Sequence, residues 1–213
     1  WDTASVGMYL SEVNEIDVYN IYGPYGYPAV TATNSTIGSL WFLVALAGGN
    51  FSYVAPGFWS ELHLCENLTG LVPDISLYNS TVNELALMTS AGADLLILES
   101  YFDYIYVLDD AYNYFELQSS YVYDFITLDS NAATEVLVNA STIDDWMWLR
   151  GTSNATIYSS YVSELDLTGN PGHAWIYDST LFVLFTDGTS KAFMYDNSYV
   201  VLLLQMGMSN VTV

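Results

Sequence analysis

Basic residues are almost absent from this sequence. Lys and Arg together number 2, Arg150 and Lys191, against 24 Asp and Glu in 213 residues, which gives a formal net charge of −22. Nucleic-acid binding requires clustered Lys and Arg to neutralise phosphates, and attachment to anionic lipid headgroups uses polybasic segments. We therefore expect neither nucleic acid nor an anionic membrane surface as a partner.

Long hydrophobic runs are also missing. The longest candidates are residues 40–47 and 200–204, and neither approaches the ~20 apolar residues that a membrane helix needs. We expect no membrane insertion.

Cysteine occurs once, at Cys65, so an internal disulfide is excluded. An odd cysteine in a secreted chain indicates an intermolecular disulfide or a free thiol. Cys65 follows the strand-like residues 61–64 in what we interpret as an inserted polar loop, which favours an intermolecular disulfide; the alternative is a buried thiol.

Apolar residues, by contrast, are plentiful: they make up 52% of the chain, and aromatic residues make up 16%. A disordered acidic chain is poor in both, so the chain folds. It begins at Trp1 rather than Met, and we expect that a leader peptide was removed during secretion. Asn-x-Ser/Thr tripeptides offer glycosylation candidates, Asn50, Asn67 and Asn154 among them, although a chain rich in Asn, Ser and Thr also contains such tripeptides by chance.

A repeat runs along the whole chain. Residues 12–18, 81–87 and 161–167 share one pattern of polar and apolar positions, and an anchor residue marks ten copies, 19 to 24 residues apart. The anchors are Val13, Ile37, Trp59, Val82, Phe102, Val122, Ile143, Val162, Leu181 and Val200. Two residues before the anchor stands Ser in nine of the ten copies, although Ser is only 22 of 213 residues. The position three residues after the anchor is always apolar, including Phe125 and Trp146, and we expect it to point inward.

Each unit reads as a β-rich run, a polar turn and a second, shorter β-rich run, with neither the period nor the length of a helix. Such a β-arch cannot bury its apolar side chains alone, but stacked arches can. We therefore predict an all-β fold: a single domain over residues 1–213 that is a β-solenoid of about ten two-strand coils. We expect loop insertions in its first three coils, at about 19–34, 43–57 and 65–79. The Ser column becomes a hydroxyl ladder in which each side chain donates to the next; an ordinary β-sandwich, the alternative, gives no reason for it.

Acidic residues recur two positions after the anchor, at Glu15, Glu61, Glu84, Asp124, Asp145 and Glu164. The last three come from consecutive coils, and carboxylates stacked about 5 Å apart repel by ~1 kcal/mol even in water. Either the side chains splay apart on a solvated face, or a structural Ca²⁺ or raised pKa values relieve the repulsion. We assign no metal ligands outside this column, and we expect no other cofactor.

Catalytic motifs are weak. Asp144 and Asp145 resemble the paired carboxylates of β-helical glycosidases, but the Gly-His-Gly and Arg-x-Lys segments of those enzymes do not occur here. His63 and His173 sit in different surroundings and read as surface residues. We expect no enzymatic activity and name no catalytic residues.

The two ends of the repeat bear on assembly. The pattern begins by Ser11 and continues to Val213 with no cap that we can identify. An uncapped coil exposes unpaired backbone donors and acceptors, and a head-to-tail contact between copies yields a fibre or a closed ring.

A secreted, acidic, uncapped stack of β-arches rich in Ser, Asn and Tyr, with one cysteine, resembles the tubular cell-sheath proteins of certain methanogenic archaea. The resemblance implies amyloid-like stacking into hoops that join laterally as an extracellular tube, and it implies no catalytic residues. We therefore expect a structural subunit of an extracellular cell sheath or filament, whose partner is another copy of itself. The alternative is a surface-displayed β-helical adhesin that binds glycans, or an enzyme that degrades polysaccharides.

Overall fold

A computed structural model describes most of the chain. The described residues are 5–9, 12–20, 29–33, 36–44, 51–66, 75–89, 93–108, 112–130, 134–169 and 172–212. These residues form β-strands, turns and bends, and the described part of the chain contains no helix.

The described residues form nineteen strands. They are β1 (Ser5–Tyr9), β2 (Glu12–Asn20), β3 (Ala29–Thr33), β4 (Thr36–Val44), β5 (Phe51–Glu66), β6 (Ile75–Thr89), β7 (Ala93–Leu98), β8 (Tyr101–Leu108), β9 (Tyr112–Gln118), β10 (Tyr121–Ser130), β11 (Glu135–Asn139), β12 (Thr142–Gly151), β13 (Asn154–Tyr158), β14 (Tyr161–Thr168), β15 (His173–Tyr177), β16 (Thr180–Thr186), β17 (Lys191–Tyr195), β18 (Tyr199–Gln205) and β19 (Asn210–Thr212).

All strand pairs are parallel, and they form two sheets. The long-arm sheet contains β8, β10, β12, β14, β16 and β18, each paired with the strand one coil away. The short-arm sheet contains β7, β9, β11, β13, β15, β17 and β19 in the same way. Because every strand pairs with its equivalent in the next coil, the chain is a β-solenoid, which confirms the predicted fold class.

The number of two-strand coils differs from the ten predicted. About six consecutive turns, from β7 to β18, consist of one short and one long strand. The two preceding coils are instead the continuous strands β5 and β6, because backbone pairing runs through their corner, where Gly57 lies in register with Ser80. The predicted insertions at about 19–34, 43–57 and 65–79 include the starts of β3, β5 and β6, and their middle parts lie outside the described residues.

The core lies between the two sheets and is built from columns of apolar side chains. Two main columns run along the long-arm sheet and the strand β6 that pairs with β8, and all their members are fully buried. The first column is Val82, Phe102, Val122, Ile143, Val162 and Leu181. The second column is Leu85, Ile105, Ile126, Met147, Leu165 and Leu184. On the short arm, Ile97, Leu117, Val138, Ile157 and Ile176 form a comparable column. Parallel, in-register pairing places like residues on top of one another, so each coil buries the apolar faces of its neighbours.

The predicted serine column lines one corner of the solenoid, but its hydrogen bonds run differently from the prediction. The backbone N–H of Ser141 donates to the Oγ of Ser160 one coil away at 3.2 Å. The Ser160 hydroxyl in turn donates to the carbonyl of Tyr158, in its own coil, at 2.5 Å. The same pattern recurs at Ser100, Ser120 and Ser179. Each hydroxyl thus satisfies one buried N–H and one carbonyl, which is why this position requires a small side chain with a hydroxyl group.

A left-handed residue precedes this corner in every described coil from β6 onward. The residues with φ between 45° and 56° are Asn79, Glu99, Ser119, Ala140, Ser159, Asp178 and Asp196. None is glycine, although a side chain in this region costs about 1–2 kcal/mol. The corner bonds offset that cost, since Ala140 N–H donates to Tyr158 O at 3.0 Å.

Two neighbouring strands of the long-arm sheet, β10 and β12, each contain one extra residue. Between Val122 and Phe125 in β10, and between Ile143 and Trp146 in β12, two residues oppose a single residue of the adjoining strand. These bulges move every following side chain to the opposite face. Phe125 and Trp146, which we predicted to point inward, therefore lie on the outer face, and Ile126 and Met147 occupy the buried column.

Candidate functional site

The last coil presents an apolar surface. Strand β18 continues the register of the buried column, with Leu203 opposite Leu184 and Val200 opposite Leu181. Leu184 is fully buried, whereas Leu203 is 38% exposed and its neighbours Leu202 and Leu204 are 46% and 43% exposed. The side chains in position to form the next layer of the core thus have none of the described residues stacked on them.

The backbone edges at the two ends of each sheet are also free within the described residues. Among the described residues, strand β18 pairs with β16 on one side alone, and β19 likewise with β17. At the other end, β2 pairs with β4 and β1 with β3. Each end therefore presents a row of backbone donors and acceptors in the geometry that a parallel strand requires.

The predicted acidic column is interrupted. Glu84 lies in register with Tyr104, and Glu164 with Trp146, so aromatic residues fill the coils between the two carboxylates. Asp124 and Asp145 are instead bulge residues of adjacent coils. Burial, followed by the neighbouring Asp124, raises the pKa of the Asp145 carboxyl. The repulsion predicted for three consecutive coils is thereby reduced to one pair.

Aromatic side chains cover much of the outer faces. On the long-arm sheet the ring centroids of Phe125 and Trp146 lie 5.3 Å apart in a stacked arrangement. On the short-arm sheet, Tyr158, Tyr177 and Tyr195 stack at 4.7 Å from ring to ring. Such ladders stabilise parallel pairing, because the aromatic rings of successive coils are brought into contact.

A hollow of about 180 Å³ opens on the outer face of the long-arm sheet. It is lined by Trp146, Trp148, Glu164 and Asp166, which are contributed by β12 and β14. The two indole rings are tilted by 57°, with their centroids 6.5 Å apart. The Arg150 guanidinium carbon lies 3.7 Å from the centroid of the Trp148 ring, so this ring already takes part in a cation–π contact.

Asp166 is the most constrained carboxylate of this hollow. The Nε1–H of Trp148 donates to Asp166 Oδ2, while Asp166 Oδ1 is shielded from solvent and accepts no hydrogen bond from the described part of the protein. Burial raises the pKa of the Asp166 carboxyl, and the nearby Glu164 adds to this, against the lowering effects of the Trp148 hydrogen bond and Arg150. Asp166 thus interacts with the carboxylates Glu164 and Asp187 and with the cation Arg150.

The carboxylate pair that resembles a glycosidase site is exposed. Asp144 and Asp145 both lie on the surface, and the hydroxyl of Tyr121 donates to Asp144 Oδ2 at 2.8 Å. That hydrogen bond is the main cause that raises the pKa of Tyr121 to about 12. His173 stacks on Trp175 with centroids 5.8 Å apart, and His63 lies in β5 in register with Ala86. Neither histidine is brought together with the Asp pair by the strand register.

The modification candidates fall in different places. Cys65 lies within strand β5, in register with Met88, and not in the loop that we predicted, because β5 continues to Glu66. Asn154 is the first residue of β13, is half-buried, and donates its backbone N–H to Thr134 O at 2.9 Å. Asn50 and Asn67 lie outside the described residues. The proposed disulfide and the glycosylation sites remain predictions.

Two structural features that bear on metal binding and membrane insertion are missing from the described ranges. These residues contain no group of three or more His, Cys, Asp or Glu side chains that could hold a metal ion. They also form no helix long and apolar enough to cross a membrane. The structural Ca²⁺ remains a prediction.

Comparison with protein-family models, with curated proteins and with solved structures yields no match to this chain. Function is therefore inferred from the solenoid and its surfaces.

Proposed function

We propose that this protein is the structural subunit of an extracellular sheath or filament, and that it polymerises by stacking the last coil of one copy on the first coil of the next. The exposed continuation of the buried columns in β18 carries the proposal. Leu203 and Val200 occupy core positions, yet they are covered by no residue that the structure describes.

The first coil of a second copy supplies a matching surface. In β2 the anchor Val13 and the third residue after it, Ile16, have the spacing of Val200 and Leu203 in β18. Placing β2 on β18 and β1 on β19 would continue both sheets in register. Each added backbone hydrogen bond contributes about 1 kcal/mol net, and burying the apolar column adds to this. The contact is heterologous, so repetition gives a fibre or a closed ring.

The extracellular setting of the proposal rests on composition and on the resemblance to archaeal sheath proteins. The chain offers trypsin only Arg150 and Lys191, and Lys191 lies in a paired strand. Resistance to proteolysis suits a protective wall.

Electron microscopy and sedimentation of the purified chain test the assembly. We expect fibres or rings with a ~4.8 Å repeat along the stack. Leu203→Asp should abolish them, because it places a charge in the joined core. Leu204→Asp is the matched control, since Leu204 is similarly exposed but points outward, and it should still assemble. Monodisperse particles of the unaltered chain at high concentration would overturn the proposal and would favour a partner or a further chain segment as the cover of β18.

The lateral joint can be tested separately with Cys65. Assembled material is heated in detergent with and without a thiol reductant. Release that depends on the reductant supports the intermolecular disulfide, and release that is unchanged removes Cys65 from the joint.

The alternative, a glycan-binding adhesin or a polysaccharide-degrading enzyme, draws support from the hollow at Trp146 and Trp148. Aromatic rings beside carboxylates can hold sugar rings by stacking and hydrogen bonding. Saturable binding or cleavage of a soluble polysaccharide, lost in Trp146→Ala, would favour it.

A further inference from the structure

We propose that the hollow lined by Trp146, Trp148, Glu164 and Asp166 binds a primary alkylammonium group, such as the end of a lysine side chain or of a polyamine. The proposal does not depend on head-to-tail assembly, because the hollow lies on the outer face of an interior coil.

The arrangement of the two rings favours a cation over a flat sugar. The indoles are tilted by 57° and form two walls of a cleft instead of one flat platform. The π faces of aromatic rings attract cations within about 6 Å of their centroids, most strongly for tryptophan. The Arg150 guanidinium carbon, 3.7 Å from the centroid of the Trp148 ring, has this geometry in the same protein. Arg150 is not among the residues that line the hollow.

The carboxylates complete the complementarity. Glu164 and Asp166 stand one residue apart on the same face of β14, and both line the hollow. Asp166 Oδ2 is occupied by the Trp148 N–H, but Oδ1 lacks a donor among the described residues. Asp166 Oδ1 itself is shielded from solvent. A primary ammonium carries three N–H donors on a compact charge, so within the hollow it can donate to the Glu164 carboxylate and offset the two negative charges. A ligand of negative charge is disfavoured by the same residues and by the net charge of −22.

Equilibrium dialysis of labelled butylammonium against the full chain tests the site, and this measurement is independent of whether the chain is assembled. Sodium chloride at matched ionic strength gives the background. We expect saturable binding that weakens as salt is raised. Tetramethylammonium, which has no N–H to donate, should bind more weakly than butylammonium.

Three variants locate the site. Trp146→Ala should weaken binding about tenfold or more, because it removes one wall of the cleft. Asp166→Asn keeps the size of the side chain and an acceptor for Trp148 but removes the charge, and it should also weaken binding. Trp175→Ala, at a half-buried tryptophan on the outer face of the short-arm sheet, is the matched control and should bind like the unaltered chain. Circular dichroism establishes that each variant is folded.

Other results would overturn the inference. These are the absence of saturable butylammonium binding, unchanged binding in Trp146→Ala or Asp166→Asn, tetramethylammonium binding as tight as butylammonium, or preferential binding of a neutral methyl glycoside. The last result would identify a glycan site. Because none of them depends on stacking at β18, they can be distinguished from a failure of the assembly proposal.

Discussion

Strands β16 and β18 have nearly the same pattern of side chains and very different surroundings. In β16, Leu181 and Leu184 are fully buried beneath the next coil. In β18, the residues in register with them, Val200 and Leu203, are partly or largely exposed. Both strands have apolar residues at these core positions, and they differ in what lies above them.

The corner serines show the same contrast. The backbone N–H of Ser179 donates to the Oγ of Ser198, one coil further along. Ser198 itself has no equivalent coil in the described residues, and its N–H donates instead to Tyr195 O at 3.1 Å within its own turn. In a solenoid the environment of a residue is therefore set by the neighbouring coil, so the end coil is the place where assembly would change stability most.

The largest expected effect separates the interior from the end. Leu184→Ala should destabilise the chain by about 2–5 kcal/mol, because it opens a cavity in a closed core. Leu203→Ala should cost roughly 1 kcal/mol or less in a dispersed chain, since much of the side chain is already in water. Urea unfolding of both variants measures the difference.

Assembly should remove this difference. If β18 is covered in the polymer, Leu203→Ala should lower the stability of the polymer by about as much as Leu184→Ala does. Dissociation of the polymer in denaturant measures both losses. Equal costs in the dispersed chain would contradict the exposure of β18.

The next effect concerns the interior corner. Ser160→Ala should cost about 1–3 kcal/mol, because the buried Ser141 N–H loses its partner and the Tyr158 carbonyl keeps only the Ala140 N–H of its two donors. Ser159→Ala is the control, since Ser159 is exposed beside it. Thermal unfolding compares the two, and equal shifts would refute the role given to the serine column.

A smaller effect of opposite sign is expected at the left-handed residue of the same corner. Ala140 has φ of 48°, a region where a Cβ is unfavourable and glycine is not strained. Ala140→Gly should stabilise the chain by roughly 1 kcal/mol or less, because relief of strain exceeds the added entropy of the unfolded chain. Chemical unfolding measures the change, and a loss of stability would show that the strain is smaller than the added entropy of the unfolded chain.

The smallest effect is a dependence on pH. The Asp166 carboxyl has a raised pKa in the folded chain, so the folded state binds its proton at a higher pH than the unfolded state does. Its contribution to stability is therefore greatest below the unfolded pKa of ~3.9 and is lost as pH rises through the folded pKa. The midpoint of unfolding should therefore rise as the pH is lowered, and it should rise less in Asp166→Asn than in the unaltered chain. Identical slopes in the two chains would contradict this.

Much of the architecture could be predicted from the sequence. The serine column and the apolar position at the anchor indicated stacked parallel coils, because only in-register stacking makes one position equivalent in every repeat. The position of Leu203 as a core residue followed from the same spacing.

The outer hollow could not be predicted in the same way. We expected Trp146 in the core, because counting from the anchor Ile143 assumes that no residue is added. A bulge lies at Asp144 and Asp145, and no single residue type indicates it in the sequence. The left-handed corner residues gave a weak signal as well: Asn79 and Asp178 are typical of that conformation, but Glu99 and Ala140 are not.

By itself, the sequence determined the repeat, the parallel stacking of β-arches and the excess of negative charge, because these depend on composition and on periods that act locally. The tertiary structure decided which side chains after a bulge face outward and how two tryptophans and two carboxylates meet across β12 and β14. It also decided that the core positions of the last coil are covered by none of the described residues. The physical reason is that a one-residue shift reverses the face of a strand, and that burial in a stack is conferred by the adjacent coil.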